Sequence, residues 1–140
     1  MPFDYKKEFK EFYLPPAKPH IVHIPKMQFV AVRGKGNPNE EGGEYKSTLA
    51  VQYAIEYTIK MSKKGEYRIA GYQDFVVPPL EGFWWQEENG KIIPGFDYTD
   101  KSSFNWISVI RLPDFVTQKD FEWAKTSVEE KKGLDCSRAE

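Results

Sequence analysis

Apolar residues recur along this chain at two spacings, steps of three to four and steps of two, and the alternation between them sets out its elements. Residues 3–13 carry Tyr5, Phe9 and Phe12 at helical spacing and predict a short amphipathic helix. Pro15, Pro16 and Pro19 stop it and impose a stiff, extended connection. Gln28–Arg33 reads as a strand that exits at Gly34-Lys35-Gly36-Asn37-Pro38-Asn39, a cluster of turn residues. From about Glu44 to Lys63, Leu49, Ala50, Tyr53, Ala54, Tyr57 and Met61 predict the longest helix, with Ile55 and Ile59 widening its apolar surface. On this reading Glu56 is solvated. Lysines 60, 63 and 64 suit the negative end of the helix dipole as a solvated helix end, and Gly65 is a stop.

Tyr72–Val77 then predicts a strand ended by Pro78-Pro79, and Gly82–Glu87 another, with Glu88-Asn89-Gly90-Lys91 as a turn. Phe104–Arg111 is a clear strand, broken by Leu112-Pro113-Asp114. Thr117 with Asp120 three residues on resembles a capping arrangement that opens a helix over about 119–132, and Gly133 ends it. Strands that follow one another over short turns favour an α+β fold: an antiparallel sheet with helices packed on one face. The expected organisation is a single domain over residues 1–140, with an N-terminal helix and proline-rich lead-in over 1–20 and a core over 21–133. The tail after Gly133 leads from a helix into nothing.

Composition narrows the function classes. The 140 residues carry 20 Lys+Arg against 21 Asp+Glu, a net charge of −1. That offers no strong basic field for a phosphate backbone, so nucleic acid is not an expected partner. No apolar run approaches a membrane span and the N-terminus lacks a signal-peptide core, so the cytoplasm is the simplest compartment. The single cysteine, Cys136, excludes an internal disulfide and a multi-cysteine zinc site, and reads as a free thiol near the chain end. His20 and His23 fall on opposite faces of an extended segment, and no metal site or cofactor is expected. The 34–39 glycines lack a Gly-Lys-Ser/Thr ending and form no phosphate loop. No strained Gly-x-Ser-x-Gly turn marks a nucleophile.

Aromatic residues make up 16% of the chain, and rings make good walls for planar ligands. The densest stretch is Pro78-Pro79-Leu80-Glu81-Gly82-Phe83-Trp84-Trp85, which sets one carboxylate among apolar and aromatic side chains. Extended backbone puts Glu81, Phe83 and Trp85 on one face and Gly82 and Trp84 on the other. Glu81 can neutralise a lipophilic cation, hold and deprotonate a water, or cap a local turn. In the 104–111 strand, Phe104, Trp106, Ser108 and Ile110 form an aromatic face suited to a groove. Ile107 and Val109 form an aliphatic face suited to helix packing. Tyr53 and Tyr57, one helical turn apart, bring their phenols to one region. The alternative for all these rings is ordinary core.

The strand leading to Gly34-Lys35-Gly36-Asn37-Pro38-Asn39, the helix with Tyr53-Ala54-Ile55 and Ile59-Lys60, then Pro79-Leu80-Glu81-Gly82-Phe83-Trp84, and finally Trp106 with Ile110-Arg111-Leu112-Pro113-Asp114-Phe115-Val116-Thr117 resemble the GyrI-like small-molecule-binding proteins, in their stand-alone bacterial branch. The likeness covers about residues 8–133. It implies an SHS2-type fold of two β-α-β-β units about a pseudo-two-fold axis, with a ligand groove between them. It implies binding of bulky hydrophobic compounds, often planar or cationic. One subfamily, the cyclopropanoid cyclopropyl hydrolases, opens the strained ring of DNA-alkylating compounds in an aromatic cage. Carried onto this chain, the resemblance makes Trp84, Trp85, Trp106, Tyr53 and Tyr57 cage candidates and Glu81 the polar or catalytic group; Phe83 and Phe104 join them as ligand-binding candidates from the strands. Family members usually continue into a second unit, so the second unit is expected to be incomplete here: either the chain is the N-terminal portion of such a domain, or a partner completes it, with a homodimer as one way to rebuild the groove. Three functions stand: xenobiotic binding, hydrolysis of a strained ring, and a protein-interaction role such as topoisomerase inhibition.

Overall fold

The computed structural model describes residues 1–140. Two single-turn helices, α1 (Tyr5–Glu8) and α2 (Lys10–Tyr13), precede the strand β1 (Gln28–Lys35) and the long helix α3 (Glu44–Met61). Strand β2 (Leu80–Trp85), a small hairpin of β3 (Glu87–Glu88) and β4 (Lys91–Ile92), strand β5 (Asn105–Leu112) and helix α4 (Gln118–Lys132) follow. The main sheet is antiparallel with order β1-β5-β2. This is the α+β architecture that the patterning predicts. No helix is long and apolar enough to cross a membrane.

The register decides which face is core. Gly34 lies opposite Trp106, which lies opposite Trp84; Val32 and Gly82 flank Ser108; Val30 and Leu80 flank Ile110. These residues share the face that packs against α3. Trp106, Ile110 and Val30 are completely buried there. A Cβ at Gly34 would overlap the Trp106 indole, so the missing side chain makes the slot into which the ring fits. The expectation for β5 is therefore reversed: the aromatic face is the helix-packed core. The face with Ile107 and Val109 looks the other way, because the indole needs the vacancy at Gly34.

Helix α3 is displaced in the same sense. Its buried stripe is Thr48, Gln52, Ile55, Glu56 and Ile59, whereas Tyr57 and Met61 are exposed. Gln52 is drawn inward by partners: its Nε2 donates to Val30 O at 3.2 Å and Ser108 O at 2.8 Å. Ser108 Oγ returns a bond to Gln52 Oε1 at 2.7 Å. Every polar atom of that side-chain pair is thus satisfied inside the core. Glu56 is not solvated; it is fully buried, and neither carboxyl oxygen has a partner. Burial pushes its carboxyl well above the ordinary range.

The expected strand over Tyr72–Val77 reduces to one parallel bridge, Phe3 with Phe75. Pro78 and Pro79 remove ladder donors, and side chains bind the segment instead. Tyr72 Oη donates to Lys60 O at 2.5 Å, and Asp74 meets Lys60 at 3.2 Å and Lys63 at 2.7 Å. Two of the helix-end lysines are thus engaged rather than solvated. Lys63 and Lys60 hold the Asp74 carboxyl far below its usual range, while burial and Asp74 push the Tyr72 phenol to about 12. The tail after Gly133 also has a partner: Glu140 exchanges backbone bonds with Ala31 at 2.9 and 2.7 Å on the free edge of β1. Cys136 on that tail is buried.

At the start of α4 the predicted capping box is present. Asp120 N donates to Thr117 Oγ1 at 3.2 Å, and Thr117 N donates to Asp120 Oδ2 at 2.9 Å. Thr117→Ala is expected to cost about 1 kcal/mol, read as a lower urea midpoint with an unchanged slope. No loss would mean the helix start is held by Tyr67, whose hydroxyl donates to Asp120 Oδ1 at 2.9 Å.

Candidate functional site

The face of the sheet turned away from α3 is only partly covered. Glu81 and Phe83 from β2, Phe29 from β1, and Ile107, Val109 and Arg111 from β5 alternate onto it. The chain between Tyr13 and Gln28 crosses this side without regular structure, held extended by its prolines. Between this strap and the sheet lies a groove of about 650 Å³. Phe12, Tyr13, Pro16, Met27 and Phe29 line it together with Phe83, and Glu81 is its acid on the sheet side. Phe83 is 63% exposed, an unusual placement for a phenylalanine in a strand.

Three ionisable groups meet at this wall. Glu81 is exposed, yet the apolar side chains around its carboxyl strip part of its hydration and push it above its usual range, while the Arg111 guanidinium opposes that. Burial likewise raises the Tyr13 phenol; the neighbouring Arg111 guanidinium counters it, while Glu81 adds to the rise. A raised carboxyl is the stronger base once ionised, and a neighbouring phenol can donate to an oxygen that gains charge. The cluster therefore supports either neutralisation of a bound cation or activation of a water.

Of the expected site residues, the structure brings only Glu81 and Phe83 to this groove, and none of the five cage candidates lines it. Trp106 is completely buried, and Trp84 is half-buried on the α3 side, with ring centroids 5.1 Å from Tyr45 and 6.4 Å from Trp106. Phe104 is buried against Trp84, Phe96 and Tyr98. Register puts Trp106 and Trp84 on the α3 face, whereas Phe104 precedes β5 and is buried by Trp84 and the 96–98 segment. Trp85 shares the strand face of Glu81 and Phe83, but its Nε1 donates to Glu87 Oε1 at 2.8 Å, beyond the groove. Tyr53 packs half-buried against the core. Tyr57 opens on a separate groove between α3 and α4, beside the stacked Tyr67 and Trp123 rings. His20 is at the groove's edge and His23 is exposed.

Sequence reasoning missed Tyr13, Phe12, Phe29 and Arg111. Phe29 and Arg111 were findable, since each alternates away from its strand's core residues. Tyr13 and Phe12 were not, because nothing local says where a proline-rich strap will lie.

No protein-family model matches the chain, and no curated protein matches it. Solved structures do. A crystal structure of a hydrolase from Listeria innocua is 49% identical with a TM-score of 0.88, over 100% of this chain and 65% of that one. An uncharacterized conserved protein from Listeria innocua is 50% identical with a TM-score of 0.86, over 99% of this chain and 64% of that one. A second hydrolase structure from the same organism is 47% identical with a TM-score of 0.84, over 99% of this chain and 63% of that one. The chain thus spans slightly less than two thirds of the length of these relatives.

Proposed function

We propose that the chain binds bulky hydrophobic small molecules, planar or cationic, in the groove between its N-terminal strap and the open sheet face. The carrying observation is the placement of Glu81 and exposed Phe83 on the sheet side of a groove of about 650 Å³ that Phe12 and Tyr13 also line. Apolar faces hold a flat ligand by contact area, and one carboxylate favours positive charge. This agrees with the GyrI-like resemblance while replacing most of the cage it implied: Phe12, Tyr13, Phe29 and Phe83 take the role given to the tryptophans. A second copy of this chain, or the further length that the Listeria relatives carry, is the natural cover for Phe83.

The second reading is hydrolysis of a strained, electrophilic ring of the cyclopropanoid type. The hydrolase names of relatives 49% and 47% identical favour it, as does the Glu81–Tyr13–Arg111 cluster. Glu81 would take a proton from water as the water oxygen bonds to the ring carbon. The strained C–C bond breaks, its electron pair passes into the conjugated system of the substrate, the Tyr13 hydroxyl protonates the oxygen that gains the charge, and solvent returns the Glu81 proton to Tyr13.

Ethidium, a planar cation, tests binding by calorimetry. Phe83→Ala should weaken it about tenfold, and Glu81→Gln roughly three- to tenfold. Native affinity retained in both variants would place the ligand elsewhere. Turnover of a cyclopropyl-indole separates the readings: hydrolysis requires that Glu81→Gln abolish the rate while a neutral substrate still binds.

A further inference from the structure

A second cavity, of about 200 Å³, lies beyond Arg111 on the side of α1. Phe3, Tyr5, Phe9, Phe75 and Phe115 give it aromatic walls, and Arg111 lines it. Arg111 is 4% exposed, and its Nε and Nη1 are both buried with no hydrogen-bond partner. None of the chain's ion pairs includes it. The Tyr5 and Phe9 rings stand 4.7 and 5.0 Å from its guanidinium carbon, and the Tyr13 hydroxyl is beside it on the groove side. Cation–π contact offsets part of the lost hydration, but rings accept no strong hydrogen bond. A guanidinium withdrawn from water with unclaimed donors is costly unless an anion meets it.

We propose that this cavity is a subsite for a small aromatic monocarboxylate, with the carboxylate on Arg111 and the ring among Phe3, Phe9 and Phe75. A planar guanidinium fork matches a carboxylate, and ring-lined walls match a flat apolar body. The polar groups facing the cavity besides Arg111 are the Tyr5 hydroxyl, Gln73 and Asp114. Tyr5 and Gln73 can donate to the same anion. Asp114 is exposed at the rim and repels a second negative charge, which selects a monoanion over a phosphate dianion. The subsite opens on the side of Arg111 away from the Glu81 groove; the guanidinium is common to both, with the Glu81 charge acting on it from the groove side, and the aromatic walls belong to the subsite alone.

The test titrates the full chain with benzoate, benzamide and inorganic phosphate, reading amide and Arg side-chain NMR shifts. Benzoate should give saturable shifts at Phe9, Phe75 and Arg111 below about 10 mM, with benzamide and phosphate at least about tenfold weaker. Arg111→Met should remain folded, since an apolar side chain of similar length suits a desolvated site, and should lose the benzoate response. If that variant does not fold, the comparison of benzoate with benzamide on the native chain decides. Equal response to benzamide, stronger response to phosphate, or benzoate shifts confined to Phe83 and Phe29 would each overturn the assignment.

Discussion

Trp106→Ala should cost about 3–5 kcal/mol, a large part of the roughly 5–15 kcal/mol that holds a domain together. The indole is completely buried at the centre of the sheet, with Tyr45 edge-on at 5.1 Å and Trp84 at 6.4 Å. Removing it leaves a void bounded by backbone at Gly34, which cannot collapse to fill it. The indole Nε1 has no hydrogen-bond partner, so its deletion relieves a desolvation penalty that offsets only a small part of the loss. The reciprocal change, Gly34→Ala, should also be severe, because its new methyl would occupy the ring's position. Urea unfolding reads both. A loss below about 1 kcal/mol for Trp106→Ala would show that the ring lines open space after all, as a cage residue should.

Replacing Glu56 should stabilise the protein at neutral and alkaline pH. Its carboxyl is fully buried on the α3 stripe that faces the sheet, with both oxygens unpartnered. Burial raises its folded-state value well above that of the unfolded chain. Between those two values the folded state holds the proton and the unfolded state does not. Stability contributed by the proton is therefore complete below about pH 4, the unfolded range, and is lost as pH rises toward the folded value. Glu56→Gln should remove this fall. Glu56→Leu should add about 1–3 kcal/mol at neutral pH, because it also removes two unsatisfied oxygens. The measurement is the urea midpoint of each protein from about pH 4.5 to about pH 9, with the native chain as reference. Glu81 also carries a raised carboxyl, so the difference between proteins, and not the native slope alone, isolates Glu56. A slope that persists unchanged in Glu56→Gln would assign the pH dependence to other groups.

The amino-acid sequence by itself determined the α+β class and antiparallel pairing, β1 and β5 to within a few residues, both long helices, the Asn89-Gly90 turn and the Thr117–Asp120 capping box. Those features follow from interactions within a few residues of one another: alternation, caps and positive-φ turns. It also determined that Glu81 and Phe83 share one strand face. Only the tertiary structure decided which face became core, because that rests on the single vacancy at Gly34, paired with Trp106 from 72 positions further along the chain. It alone decided that Gln52 and Glu56 turn inward while Tyr57 and Met61 turn out, since the choice depends on acceptors carried by β1 and β5. The groove belongs to the same class of outcome. Its roof is a strap with no periodicity of its own, placed by the sheet face it covers, and so Tyr13 and Phe12 acquire a role that no local pattern encodes.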